Sequence, residues 1–229
     1  MPDLSTIFLA AVTGLISGLL LSMPIGPVNV TIINEGARRG FTQGMLVGLG
    51  ASVMELIYCT IAFTGFSSFF GDRMVKASME VFSFTFLLFL GLKFLTAKTV
   101  AAPTQLGAAA GKIEARVGEK FNPHSAFMTG FVRVLGNLGV LLFWIVLAAN
   151  LMSHNWVADA LAAKTACIVG VALGTNLWFC ALSYGVSRGH GRFSEGTLVR
   201  MQRISGICLI AVGLFDGGHI VWQLARHKI

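Results

Sequence analysis

Ser22-Met23-Pro24-Ile25-Gly26-Pro27-Val28-Asn29 brings two prolines, a glycine and an amide into one short stretch. Each proline removes a backbone donor, and its ring clashes with the carbonyl four residues back. Gly26 is expected to take a conformation that other residues resist. In an apolar setting these residues open a helix, and the freed carbonyls are tolerated only against protein or a watery cavity. Asn29 adds a group that both donates and accepts at that point. The chemistry this suits is ligand binding by helix ends and carbonyls rather than bond making. An ordinary proline kink, its amide satisfied by a neighbouring helix, uses the same residue types; two prolines flanking a glycine favour the binding site.

Glu55 is the second group with chemical potential. Gly48, Ser52, Glu55 and Cys59 follow one another at spacings of four, three and four, so they share one helical face. A carboxylate facing lipid is costly, so this face should look into a bundle or cavity. Apolar surroundings penalise the charged form, which suits a group that takes up and releases a proton. A structural carboxyl bonded to a neighbour is the plainer reading. Arg133 and Asn137, with Gly130, are placed on one face of a later helix, where Arg133 either pairs with a carboxylate such as Glu55 or snorkels to the interface. Asp216 and His219, with Gln223, form a secondary polar group near the end of the last helix. Asn176, with Cys180 and Ser183, marks the polar side of the helix before it, where interhelical hydrogen bonding is the preferred reading.

The elements that must hold these groups are membrane spans. Apolar residues make up 55% of the chain and charged residues only 12%, against roughly 25% charged in a soluble domain. The apolar residues lie in runs of about 20, the length that crosses the hydrocarbon core. Six segments stand out: Thr6 to Ile33 with an interruption, Phe41 to Phe66, Val81 to Leu95, Ala126 to Ala149, Leu161 to Val186 and Ile204 to Leu224. The fold class is therefore an all-α membrane protein of about six transmembrane helices. The N-terminus has neither a basic n-region nor a small-x-small cleavage site before Pro24, so the first run is expected to be a retained span.

The longest polar stretch, Lys98 to Ser125, contains Pro103 and Pro123 and reads as a flexible linker. It divides the chain into a first three-helix half (1–98), a linker (99–124) and a second three-helix half (125–229). Three spans per half make the second half enter from the opposite side, an inverted repeat as in secondary transporters. Val47 to Phe66 and Cys167 to Val186 are similar Gly-spaced segments, with Tyr58 and Trp178 at matching places. Lys and Arg concentrate in the loops after spans one, three and five, including Arg38, Arg39, Lys112, Arg116, Arg188 and Arg200. The positive-inside rule makes those loops cytoplasmic and both termini periplasmic.

Other function classes find little support. The net charge of +7 is scattered between apolar runs, without the basic patch that binding nucleic acid needs. Cys59, Cys167, Cys180 and Cys208 lie within apolar segments and form no CxxC, so they read as small buried hydrophobes. No P-loop, HExxH or GxSxG pattern is present, and no metal, cofactor or catalytic residue is expected. Gly14/Gly18, Gly40/Gly44, Gly44/Gly48, Gly170/Gly174 and Gly213/Gly217 allow helices to approach closely, within a bundle or in a homo-oligomer.

Pro24-Ile-Gly-Pro27-Val-Asn29, then Gly36, Arg38-Arg39-Gly40-Phe41, Gly44, Gly48-Leu-Gly50-Ala-Ser52 and Glu55, resembles the lysine-exporter (LysE/RhtB) family of amino-acid translocators. Phe127, Gly130-Phe131, Leu135 and Asn137 continue the resemblance. Glu55 stands where that family usually has aspartate. Leu138 replaces the proline of an Asn-Pro pair, so the second helix break is expected to be weaker than the first or absent. Gly139 replaces a basic residue that often follows. The resemblance implies an inner-membrane exporter of amino acids or related small metabolites, driven by protons. Its small-molecule cargo would meet Pro24, Gly26, Pro27, Asn29 and Asn137, with Glu55 and Arg133 handling the proton or cation. A channel or structural membrane component without ion coupling is the main alternative. A transmembrane redox carrier of the CcdA type would need cysteines beside the breaks, and none stands there.

Overall fold

The structure, a computed structural model, describes residues 3–24, 26–65, 73–96, 125–188 and 195–225. The expected linker, 99–124, lies outside the described residues, as do the basic residues Lys112 and Arg116. The described residues form eight helices and no strand: α1 (Leu4–Ser22), α2 (Pro27–Arg39), α3 (Phe41–Gly65), α4 (Arg73–Leu95), α5 (Ala126–Leu135), α6 (Leu138–Ser153), α7 (Leu161–Arg188) and α8 (Glu195–Ala225).

The chain is an α-helical membrane protein. Among the described residues, α1, α3 and α7 are each long and apolar enough to cross a bilayer, and α5 with α6, taken together as one bent pair, is as well. Helices α4 and α8 carry shorter apolar stretches, Phe84–Leu95 and Gln202–Phe215. Helix α4 begins at Arg73, before the Val81 expected from hydropathy, because its first turns are polar. The outer faces carry aliphatic stripes at helical spacing: Leu49, Val53, Ile57 and Ile61 on α3, and Val169, Leu173 and Leu177 on α7. In water such stripes would be a liability; against lipid they need no partner.

Glycines set how the helices meet. A Cβ on Gly14 or Gly18 would strike the backbone of Cys167 or Val171, and one on Gly170 or Gly174 would strike the backbone of Ala11 or Leu15. These contacts rise together in residue number, so α1 and α7 run parallel at backbone-to-backbone distance. Gly50 meets Phe127 and Phe131, Gly130 meets Val47 and Ala51, and further along Tyr58 reaches Leu135, so α5 lies parallel against α3. Gly91 meets Gly206 and Ile210, and Gly217 meets Phe84, which makes α4 and α8 antiparallel neighbours. Helix α7 also packs against α3 in the antiparallel sense, with Gly48 against Phe179 and Gly44 against Ser183.

Gly40 departs from its expected packing role. It caps α2 with φ +87°, donates its N–H to Gly36 O at 3.1 Å, and has open space where a Cβ would go. It is a turn glycine, and its backbone conformation joins α2 to α3 through one residue.

Candidate functional site

The first break separates α1 from α2. Pro27 takes the first position of α2, where its missing N–H costs nothing and its φ suits the helix. The carbonyls at the end of α1 lose their helical donors there, and Asn29 replaces them. Its Nδ2 donates to Ser22 O and Pro24 O, both at 2.8 Å. Its Oδ1 accepts from the indole Nε1 of Trp178 at 3.3 Å. Asn29 is buried, and its amide ties the two sides of the break to α7. Gly26 differs from expectation: φ −113° and ψ −172° describe extended backbone open to any residue. A Cβ there would meet nothing within 4 Å among the described residues, so the glycine leaves open space at the break.

The second break is present, although Leu138 stands where a proline would make one. Helices α5 and α6 are bent by 67°. The physical reason is capping chemistry rather than proline. In a continuous helix the Gly139 N–H would bond to Leu135 O. Here Asn137 Oδ1 accepts from Gly139 N at 3.1 Å as the N-cap of α6, and the Tyr58 hydroxyl donates to Leu135 O at 2.8 Å. Both halves of the lost bond are satisfied by side chains, which removes the cost of opening the ladder. The break also divides the helical face expected to hold Arg133 and Asn137: Arg133 lies in the last turn of α5, partly buried, and Asn137 caps α6.

Between the two breaks lies a polar layer on the α3–α7 seam. The face holding Gly48, Ser52, Glu55 and Cys59 does turn inward. Gly48 meets Phe179, Cys59 is fully buried, and the Ser52 hydroxyl accepts from Asn176 Nδ2 at 2.8 Å. The Glu55 carboxyl faces the Thr175 hydroxyl, which donates to Gly18 O at 3.5 Å. Glu55 is partly accessible and lies on the face of α3 away from the exposed stripe of Leu49, Val53, Ile57 and Ile61. Asn176 Nδ2 also donates to Ala172 O at 2.8 Å, while its Oδ1 is buried with no hydrogen-bond partner among the described residues. A buried acceptor left open is uncommon and calls for an explanation.

The spacing is regular. Along α3, Tyr58 lies three residues beyond Glu55 toward Gly65. Along the antiparallel α7, Trp178 lies three residues beyond Thr175, toward the Phe41 end of α3. The Glu55–Thr175 pair therefore sits about 4.5 Å along the helix axes from each aromatic contact, one on either side. Trp178 holds the first break and Tyr58 the second.

Asp216 and His219 fall on α8, which packs on α4, while the polar layer lies on the α3–α7 seam. Four contributors escaped the sequence reading as site residues: Thr175, Ser52 as a partner of Asn176, and the two aromatic donors. The matching places of Tyr58 and Trp178 were the available signal, since a shift of 120 that superposes them also carries Glu55 onto Thr175.

The comparisons with known proteins agree in kind. A Bacillus subtilis (strain 168) protein named "Putative amino acid efflux protein YcgF" is 27% identical over 210 residues, covering 92% of this chain and 96% of that protein. No solved structure matches. The family model described as LysE type translocator matches residues 19–215, a range that includes both breaks and the polar layer. With that span matched, the chain belongs to the LysE type translocator family.

Proposed function

We propose that this translocator is a secondary exporter of amino acids or related small metabolites, coupled to the proton motive force across the bacterial inner membrane. The observation that carries the reading is Glu55. It is a carboxyl inside a membrane-spanning bundle, on the inward face of α3 and lying between two helix breaks. Ionisable groups at that depth mark ion and substrate paths. The efflux named for the Bacillus subtilis relative supports export as the direction.

In this reading Glu55 carries the proton, and Arg133, in the last turn of α5, supplies the countercharge. A cation is favoured at that helix end. The open acceptor of Asn176 receives a donor from the substrate ammonium. The open space at Gly26 and the ends of the broken helices line the way in, with Pro24, Pro27, Asn29 and Asn137 shaping it. Asp216 and His219 on α8 remain secondary candidates.

The helices are arranged as two inverted halves, with the termini on the periplasmic face. The reciprocal pairing of α1 with α7 and of α5 with α3 supports this, since each half places its broken helix against the central helix of the other. A transporter, rather than an enzyme, follows from the same features. The test is resistance to a panel of toxic amino-acid analogues and dipeptides in cells with and without the protein, and with Glu55→Gln. Resistance to at least one analogue, lost in the variant, is the expected result. Full resistance with Glu55→Gln removes the proposed role of that residue.

A further inference from the structure

Two hydrogen bonds connect the helix breaks to the central helices, and they lie on opposite sides of the Glu55–Thr175 pair. Trp178 Nε1 donates to Asn29 Oδ1, the amide that closes the α1–α2 break. Tyr58 Oη donates to Leu135 O, the carbonyl freed by the α5–α6 break. Each donor belongs to a central helix, and each acceptor to the broken helix packed against it. Both bonds are single and made by the polar tip of an otherwise apolar ring. Losing one therefore loosens the tie between a break and its central helix without removing the packing around it.

We propose that Trp178 and Tyr58 are paired gate residues: each latches one helix break, and the two latches close the space around Glu55 from opposite sides of the membrane. This rests on the transport reading of the Glu55 layer for its purpose, but the geometry of the latches does not depend on cargo. The Trp178–Asn29 latch guards the side that carries Arg38 and Arg39, since Asn29 belongs to α2, which ends in those exposed residues. The Tyr58–Leu135 latch guards the side toward the Gly65 end of α3. A carrier with one latch released and the other held presents Glu55 to one side at a time. Tyr58 and Trp178 are thus positioning residues that act through the breaks rather than on the substrate.

Side-specific chemical labelling tests this without any transported substrate, so its failure and that of the export reading are distinguishable. Met23→Cys reports on the first break and Gly139→Cys on the second; Met23 is partly accessible and Gly139 exposed. The full-length protein in vesicles of each orientation is treated with a membrane-impermeant maleimide, and the parent without the added cysteine gives the background from the four native thiols. Trp178→Phe should raise Met23→Cys labelling from the Arg38–Arg39 side and leave Gly139→Cys unchanged. Tyr58→Phe should do the converse from the other side. The expected gain is about fivefold, the factor that loss of one ordinary hydrogen bond makes in an opening equilibrium. Trp178→Tyr, which keeps a ring and a donor, should restore part of the protection. Equal gains at both reporters, or none at either in variants that elute as single folded species, would overturn the proposal.

Discussion

Replacing Asn29 with leucine tests whether side chains close the first break. Leucine keeps the branched heavy-atom outline of asparagine, though its two methyl groups are bulkier, and removes both polar functions. Three bonds disappear: those to Ser22 O and Pro24 O at 2.8 Å, and the one from Trp178 Nε1 at 3.3 Å. Side-chain hydrogen bonds inside membrane proteins average about 0.6 kcal/mol each, with a ceiling of about 1.7, so three are worth about 2–5 kcal/mol. Asn137→Ala removes a single capping bond, to Gly139 N, and should cost about 1 kcal/mol. The two variants thus rank each other within one protein. The assay is the thermal or denaturant midpoint of the purified protein in one detergent, read by size-exclusion recovery and tryptophan fluorescence. Asn29→Leu must be the less stable of the two by a clear margin. If it unfolds with Asn137→Ala, or later, the amide is not what holds α1 to α2.

Four further outcomes are expected. Leu138→Pro should leave folding intact or stabilise it by about 0.4–1 kcal/mol, because residue 138 is the first of α6 and needs no N–H donor, as a denaturation series will show. Gly26→Ala should fold like the parent, since its backbone is extended and its Cβ meets open space, whereas Gly26→Phe should fold but export poorly in the analogue-resistance assay. Gly130→Leu should fail to accumulate as a monodisperse protein, since it would drive a side chain into the backbone of Val47 and Ala51 at more than the roughly 1–3 kcal/mol of ordinary overpacking. Ser52→Ala should fold normally with reduced transport, because it frees an Asn176 donor beside the Glu55–Thr175 pair, a change that flux measurements will detect.

The helices and the first break were legible in the sequence for a simple reason. Long apolar runs and prolines act locally, and both signals lie where their effects occur. The inward turn of the Glu55 face was legible from helical spacing alone. The second break was not, because it rests on Asn137 bonding to Gly139 two residues on, and on a Tyr58 hydroxyl that reaches Leu135 from 77 residues away. Reading proline as the sole cause of a break gave undue importance to Leu138. Gly26 was misread for the related reason that a glycine between prolines suggests special backbone, where the structure uses it for space. Thr175 carried no signal of its own, since a threonine in an apolar helix usually bonds within its own turn. Only the packing of α7 on α3 brings its hydroxyl to Glu55.

If Glu55 couples amino-acid export to protons, a flux measurement reads that coupling directly. Purified protein in proteoliposomes, loaded with an amino acid picked out by the analogue panel, is assayed for release with an imposed pH gradient, without one, and after a protonophore. Coupling through Glu55 requires release that the gradient accelerates, that the protonophore returns to the rate without a gradient, and that Glu55→Gln makes indifferent to both. Equal release with and without the gradient in the unsubstituted protein would contradict it and leave a channel-like pathway as the better description.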